Sequence, residues 1–342
     1  MSRTACLLVL ALAAGCDSAP EPDPPPPVAL DVVTRTLGRG ADLAAAFGAP
    51  GSLEARAFAL YGDLVASDFS DRAGRIAREI AARCPHAVGL HEVLTTRTQY
   101  PSDGAATPAT RVTLDYLATL LDSLDARGLT YRIAAEQELM DAELAAARTG
   151  GARFDVRLTE RAVVLVADTL EARAGPSARW SGVPFPDADG LTDPVGYASA
   201  QLVVDGRTVT VAAARFDADD ERARTQARAL ASALGTGPAV TLATLAPPGT
   251  ATTRAALAGA GFADAWDQAG EGSGLTCCFT AGLRQDEADL ESRADGVWTL
   301  GGRARTVDVF GVAPSARTPG GLWPSSRAGV FARLVLGEPV LI

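Results

Sequence analysis

Arg83-Cys84-Pro85-His86-Ala87-Val88-Gly89-Leu90-His91-Glu92-Val93 carries both histidines of a 342-residue chain. Pro85 interrupts the helix that precedes it. Ala87 to Leu90 is a short apolar run of the kind that forms a buried central strand. If that strand continues, His91 and Glu92 point to opposite faces, because successive side chains alternate. His86, ahead of the strand, is expected in an exposed loop. On the N-terminal side, Ser70 is a suitable cap for a helix over residues 71–83, with Ile76 and Ile80 on its buried face.

Further out, the chain mixes strands and helices. Strands are expected over 30–35, 131–135, 161–167, 239–242, 307–312 and 328–336. Helices are expected over 41–47, 53–66, 219–234 and 252–260. Leu117, Leu120, Leu121 and Leu124 follow the helical i, i+3, i+4, i+7 spacing, and Gly128 ends that helix. Asp205-Gly206 joins the β-rich runs 200–204 and 207–213 and predicts a type I′ hairpin. Hairpins and helical crossovers together predict an α/β (α+β) sandwich: two mixed sheets face to face, with helices outside. One domain over 28–342 is expected, since the only strong linker lies before it.

That linker follows a targeting segment. Arg3, an apolar run to Ala14 and the sequence Leu12-Ala13-Ala14-Gly15-Cys16 have the form of a bacterial lipoprotein signal. Residues 1–15 would be removed, Cys16 lipidated, and the Pro-rich residues 16–27 left as an extended tether. The expectation is a protein of the bacterial cell envelope, extracytoplasmic and anchored to the membrane through Cys16. Cys84, Cys277 and Cys278 remain in the domain, and the exported compartment permits a disulfide without saying which. Adjacent cysteines lacking further Cys or His ligands do not make a zinc site.

Composition narrows the chemistry. All 31 basic residues are Arg, so lysine nucleophiles are excluded, and two histidines exclude His-rich metal sites. A net charge of −10 argues against non-specific nucleic-acid binding.

Specific residues carry a family likeness. Thr34-Arg35-Thr36 followed by Gly40-Ala41-Asp42-Leu43 resembles an opening Thr-Arg-Asn and Gly-Ala-Asp-Leu. The stretch from Arg83 to Val93 resembles Pro-Asp-x-x-Gly-Leu-Gln-Glu-Val. Phe262-Ala263-Asp264-Ala265-Trp266, then Thr276-Cys277-Cys278, then Leu322 to Val330 resemble late segments of the same pattern. Their order from about Asp31 to Leu334 is similar to that of the endonuclease/exonuclease/phosphatase superfamily, the deoxyribonuclease-I-like fold. The resemblance implies a four-layer αββα sandwich. It also implies metal-dependent phosphoester hydrolysis, using a carboxylate-held Mg²⁺, two histidines and Asp/Asn partners.

Position by position, that machinery is depleted. Glu92 matches the metal-binding Glu, and Asp295 matches the Asp that orients the last histidine. Thr36 replaces the opening Asn, Arg215 a His, and Thr244 and Ala246 the Asp and Asn of a strand end. Ser326 and Arg327 replace a terminal Asp-His pair. Arginine does not serve as a base, since its pKa exceeds about 12. The leading expectation is therefore a tethered pseudoenzyme with a binding role and no cofactor. One alternative is a divergent phosphoesterase whose Mg²⁺ is held by Glu92 and new acids, with Asp217, Asp219 and Asp220 as candidates. Another is an anion binder that uses Arg215 and Arg327, with Glu92 and Asp295 as counter-charges. Against the last stands a simpler arrangement, in which each Arg forms an internal salt bridge and fills the cleft.

Overall fold

Strand β1 (Val28–Thr36) turns Leu30 and Val32 to one side and Val33 to the other, and both sides are buried. A strand apolar on both faces needs a layer on each. The computed structural model supplies them. It describes residues 27–337 apart from 149, 186–187, 189–190 and 247–249. The predicted signal peptide, Cys16 and the tether through residue 26 lie outside the described residues.

After β1 come α1 (Leu43–Gly48), α2 (Leu53–Ala66), α3 (Phe69–Ala81), β2 (Ala87–Gln99), β3 (Arg111–Asp115), α4 (Tyr116–Asp125), β4 (Tyr131–Ala147) and β5 (Arg153–Ala167). Then follow β6 (Glu171–Ala174), β7 (Ala178–Arg179), β8 (Gly196–Val204), β9 (Arg207–Phe216), α5 (Asp220–Leu234), β10 (Ala239–Leu245) and α6 (Thr250–Gly259). The chain closes with β11 (Ala263–Asp264), α7 (Ala265–Ala269), β12 (Asp295–Leu300), β13 (Gly302–Phe310) and β14 (Gly329–Leu336). The first sheet runs β13-β14-β1-β2-β5-β4, with β3 beside β2. The second runs β11-β12-β10-β9-β8-β6, with β7 beside β8.

Each sheet contains one parallel pair, β1 with β2 and β9 with β10, joined by a helical crossover. Parallel strands bring their carboxyl ends to the same edge, which is where sites form in such sheets. Between the sheets, Leu30, Val32, Val164 and Val166 meet Val209, Val211, Val240 and Leu242. Helices α1–α4 cover the first sheet, with Leu60, Ile76, Ile80 and Leu120 against Val33, Val88 and Leu90. Helices α5 and α6 cover the second, with Leu230 and Leu257 against Ala212 and Ala243. The layers are αββα, as expected.

Gly89 sets the spacing of the sheets. A Cβ there would lie 2.7 Å from Leu242 Cβ and 3.3 Å from Ala213 Cβ. The Asp205-Gly206 hairpin forms with positive φ at both residues, 48° and 77°.

Several local expectations are corrected. Helix α3 starts at Phe69, because Asp68 rather than Ser70 caps it by accepting from the Asp71 amide. The earlier start places Phe69 flat on Tyr116, with ring centroids 3.8 Å apart. Strand β2 runs on to Gln99 because β5 pairs with it along its length. Strand β13 covers Gly302–Phe310 rather than 307–312. Strand β12 is not among the expected strands, since Gly296 interrupts its short apolar run. His86 is half-buried, and its Nδ1 accepts from the Asp31 amide at 2.9 Å. Cys277 and Cys278 are bonded to each other, and Cys84 is free and exposed.

Candidate active-site cleft

Register places the candidate residues together. In the second sheet Arg215, Thr244 and Asp295 sit side by side on β9, β10 and β12. In the first, Thr36 at the end of β1 pairs with His91 of β2. Arg327 precedes β14, with its backbone bridged to Cys277. Parallel strands contribute carboxyl ends here, and β12 and β14 contribute the starts of antiparallel strands. All these groups therefore reach one end of the sandwich.

The expected alternation of His91 and Glu92 fails at this point. Pairing of β2 with β5 jumps from Leu90↔Val163 to Val93↔Arg161, so His91 and Glu92 together oppose Ala162. This is a β-bulge, which re-aims a side chain. Glu92 takes φ 55° and turns its carboxylate toward the second sheet. His91 stays between the sheets, 1% exposed, with Nε2 3.1 Å from Thr34 Oγ1. Burial, then the charges of Arg215 and Arg327, push the His91 imidazole down to about 3. It is neutral at ordinary pH.

Glu92 is held from two sides. Arg215 Nη1 lies 3.1 Å and Arg39 Nη1 3.2 Å from its Oε1, and the Arg39 amide donates to Oε2 at 3.3 Å. Burial raises its pKa, but Arg39, Arg215 and Arg327 outweigh that and bring it to about 2. Arg39 also donates to both oxygens of Glu160, at 2.5 and 2.7 Å. Burial pushes the Glu160 carboxyl up, and Arg39 works against it. Burial disfavours the Arg39 charge, yet Glu160 and Glu92 raise its pKa, so it stays protonated.

The second pair is smaller. Arg327 Nη1 donates to the Leu245 carbonyl at 3.0 Å and to Asp295 Oδ2 at 3.4 Å. Thr36 Oγ1 donates to the other Asp295 oxygen at 3.3 Å. Thr276 Oγ1 accepts from the Ala294 and Asp295 amides and fixes the start of β12. Thr244 is buried, Ala246 is half-buried just past β10, and Ser326 is half-buried beside Ser325, whose hydroxyl donates to the Thr36 carbonyl.

Three members of this cluster are not legible in the sequence: Arg39, Glu160 and Asp193, whose carboxylate accepts from Arg215 Nη2 at 3.0 Å. Arg39 had a signal, since Gly38-Arg39-Gly40 follows β1 with positive φ at both glycines. Glu160 had a weaker one, an acid beside the apolar run of β5. Asp193 had none. Of the proposed acids, Asp219 caps α5 by accepting from the Arg222 amide. Asp217 is buried and accepts from the Asp219 amide.

Mg²⁺ does not fit this donor set. Both Glu92 oxygens already accept from arginine N–H groups, and the neighbouring positions carry guanidiniums, Thr244 and Ala246. Hard divalent ions need free, clustered oxygen ligands. What the described residues show instead is Arg39, Arg215 and Arg327, each paired to a carboxylate.

No protein-family model and no curated protein matches the sequence. Solved structures do. An endonuclease/exonuclease/phosphatase from Bacteroides vulgatus aligns at TM-score 0.55 and 14% identity, over 90% of this chain and 99% of that one. A family protein from Bacteroides thetaiotaomicron aligns at TM-score 0.56 and 14% identity, over 91% and 96%. One from Beutenbergia cavernae aligns at 0.51 and 18% identity, over 91% and 72%. Across nearly all of its described length, the chain has the fold of the endonuclease/exonuclease/phosphatase proteins.

Proposed function

We propose that this protein is a lipid-anchored, extracytoplasmic version of the phosphoesterase fold that no longer hydrolyses phosphoesters and acts by binding. One contact carries the reading: Arg215 Nη1 sits on Glu92 Oε1 at 3.1 Å, where a phosphoesterase would hold its metal. A guanidinium in that place occupies the carboxylate and supplies no base. The neutral His91, 1% exposed, is out of reach of a substrate in the cleft. The tether rests on Leu12-Ala13-Ala14-Gly15-Cys16 and the prolines after it.

The test is a Mg²⁺- or Mn²⁺-dependent assay with bis(p-nitrophenyl) phosphate on residues 28–342. The expected result is release at the buffer rate. Turnover that vanishes in Glu92→Ala would overturn the proposal. For the anchor, labelled palmitate should enter the full-length chain in a bacterial host and be absent from Cys16→Ala.

A further inference from the structure

Arginine has a two-toothed edge, Nε–H and the Nη2–H beside it, that matches the two oxygens of a carboxylate. Arginines elsewhere among the described residues fill that edge with a carboxylate. Arg39 places it on Glu160 at 2.5 and 2.7 Å, Arg157 on Asp141 at 2.9 and 2.5 Å, and Arg333 on Asp31 at 2.8 and 2.7 Å. Arg215 does not. Its Nη2 meets both oxygens of Asp193, at 3.0 and 3.3 Å, while its buried Nε has no acceptor among the described residues. Arg215 is 7% exposed, so leaving that donor unmade is costly.

The misfit has a cause in the backbone. The Asp193 amide donates to the Val183 carbonyl at 2.8 Å, and the Trp180 amide to Val195 at 3.0 Å. Gly182 approaches so closely that a Cβ there would lie 2.0 Å from the Asp193 carbonyl oxygen. Phe185, in the same segment, is anchored on Phe47 with ring centroids 5.3 Å apart. Asp193 is thus clamped where its short side chain reaches Nη2 but not Nε.

Charge points the same way. Among the described residues, Glu92, Glu160 and Asp295 each pair with one or more of Arg39, Arg215 and Arg327. Asp193 is a fourth carboxylate at the rim, with its side chain 22% exposed.

We propose that the Nε/Nη2 edge of Arg215 is a binding site for an external carboxylate, and that Asp193 is its internal occupant until the ligand displaces it. The ligand is singly charged, because it replaces one carboxylate, and it presents two oxygens from one carbon, as an acidic side chain or a peptide C-terminus does. This rests on the binding reading above and gives that reading a ligand class.

The experiment is chemical rescue on residues 28–342, which keep every described strand and helix. Asp193→Ala should melt lower than the unsubstituted protein. Sodium formate at about 100 mM should raise its Tm by several degrees over sodium chloride of equal ionic strength. Arg215→Ala/Asp193→Ala should show no difference between the two salts. Inorganic phosphate at alkaline pH, a dianion, should shift Asp193→Ala relative to Arg215→Ala/Asp193→Ala by less than formate does, the double variant removing the general stabilisation by phosphate. Equal melting of Asp193→Ala in formate and chloride overturns the site, and a larger shift with phosphate, relative to the double variant, overturns the carboxylate assignment. Asp193→Ser serves in the same comparison if the alanine variant does not fold. Because the readout is melting rather than turnover, its failure is separate from the detection of hydrolysis.

Discussion

His91 and Glu92, consecutive residues of β2, stand together opposite the single residue Ala162 of β5. That bulge puts a carboxylate between Arg39 and Arg215, and an imidazole beneath it between the sheets. Acid groups and a buried base are therefore coupled through the same arginines, and the coupling is measurable.

His91 should make the protein acid-sensitive above the usual carboxylate range. Its pKa falls from 6.5 to about 3 on folding, so the unfolded chain takes up the proton first. Stability contributed by the neutral form is complete above pH 6.5 and declines as pH drops toward 3. At pH 5 the loss is on the order of 2 kcal/mol. His91→Gln should flatten this decline in urea titrations at pH 7 and pH 5. Glu160, whose raised pKa acts in the opposite sense, is present in both proteins and cancels in the comparison.

Glu92 behaves in the complementary way. Its folded pKa of about 2 lies below the ordinary 4.5, so its stabilisation is present above pH 4.5 and lost between 4.5 and 2. Glu92→Gln should cost about 3–5 kcal/mol at pH 7, since two buried guanidiniums lose their shared counter-charge. The cost should shrink as pH falls through that window. A pH-independent cost in denaturant melts would show that packing, not charge, is responsible.

Gly89→Ala should destabilise the sandwich by about 1–3 kcal/mol, the usual penalty of overpacking. The added methyl would stand 2.7 Å from Leu242 Cβ. Leu242→Gly, which removes that Cβ, should recover part of the overpacking loss in a double-mutant cycle. Strict additivity of the two substitutions would place the strain elsewhere.

Arg72 should be among the least replaceable residues. It is fully buried on α3 and donates to the carbonyls of Leu37, Gly38, Ser67 and Pro324. Arg72→Met keeps the bulk but leaves those acceptors unpaired, at about 1–3 kcal/mol each. Loss of the folded state in circular dichroism is expected. A Tm within a few degrees of the unsubstituted protein would contradict it.

Much of the site was legible in the sequence. Glu92, Asp295, Arg215 and Arg327 gather at one end of the sandwich, because the motif order carries the strand order and parallel strands share an edge. The Asp205-Gly206 hairpin was legible because its turn chemistry is local. Arg39, Glu160 and Asp193 were not, since each enters the cluster through contacts with residues distant in the chain. Arg72 lies four residues before Ile76 on the buried stripe, yet an arginine there reads as solvent-facing until its carbonyl partners are known.

The sequence by itself determined β1 as a strand, the turn at Asp205-Gly206, and the presence of arginines at 215 and 327 beside strand ends. Tertiary structure decided the rest. The side on which His91 lies depends on where β5 ceases to match β2, and no local pattern encodes that. Whether the arginines face a ligand or each other's counter-ions depends on Arg39, Glu160 and Asp193 arriving from separate segments. Neutralisation of buried charge is a property of the assembled cleft, because low polarity makes each guanidinium choose among all carboxylates within reach rather than its neighbours in the chain.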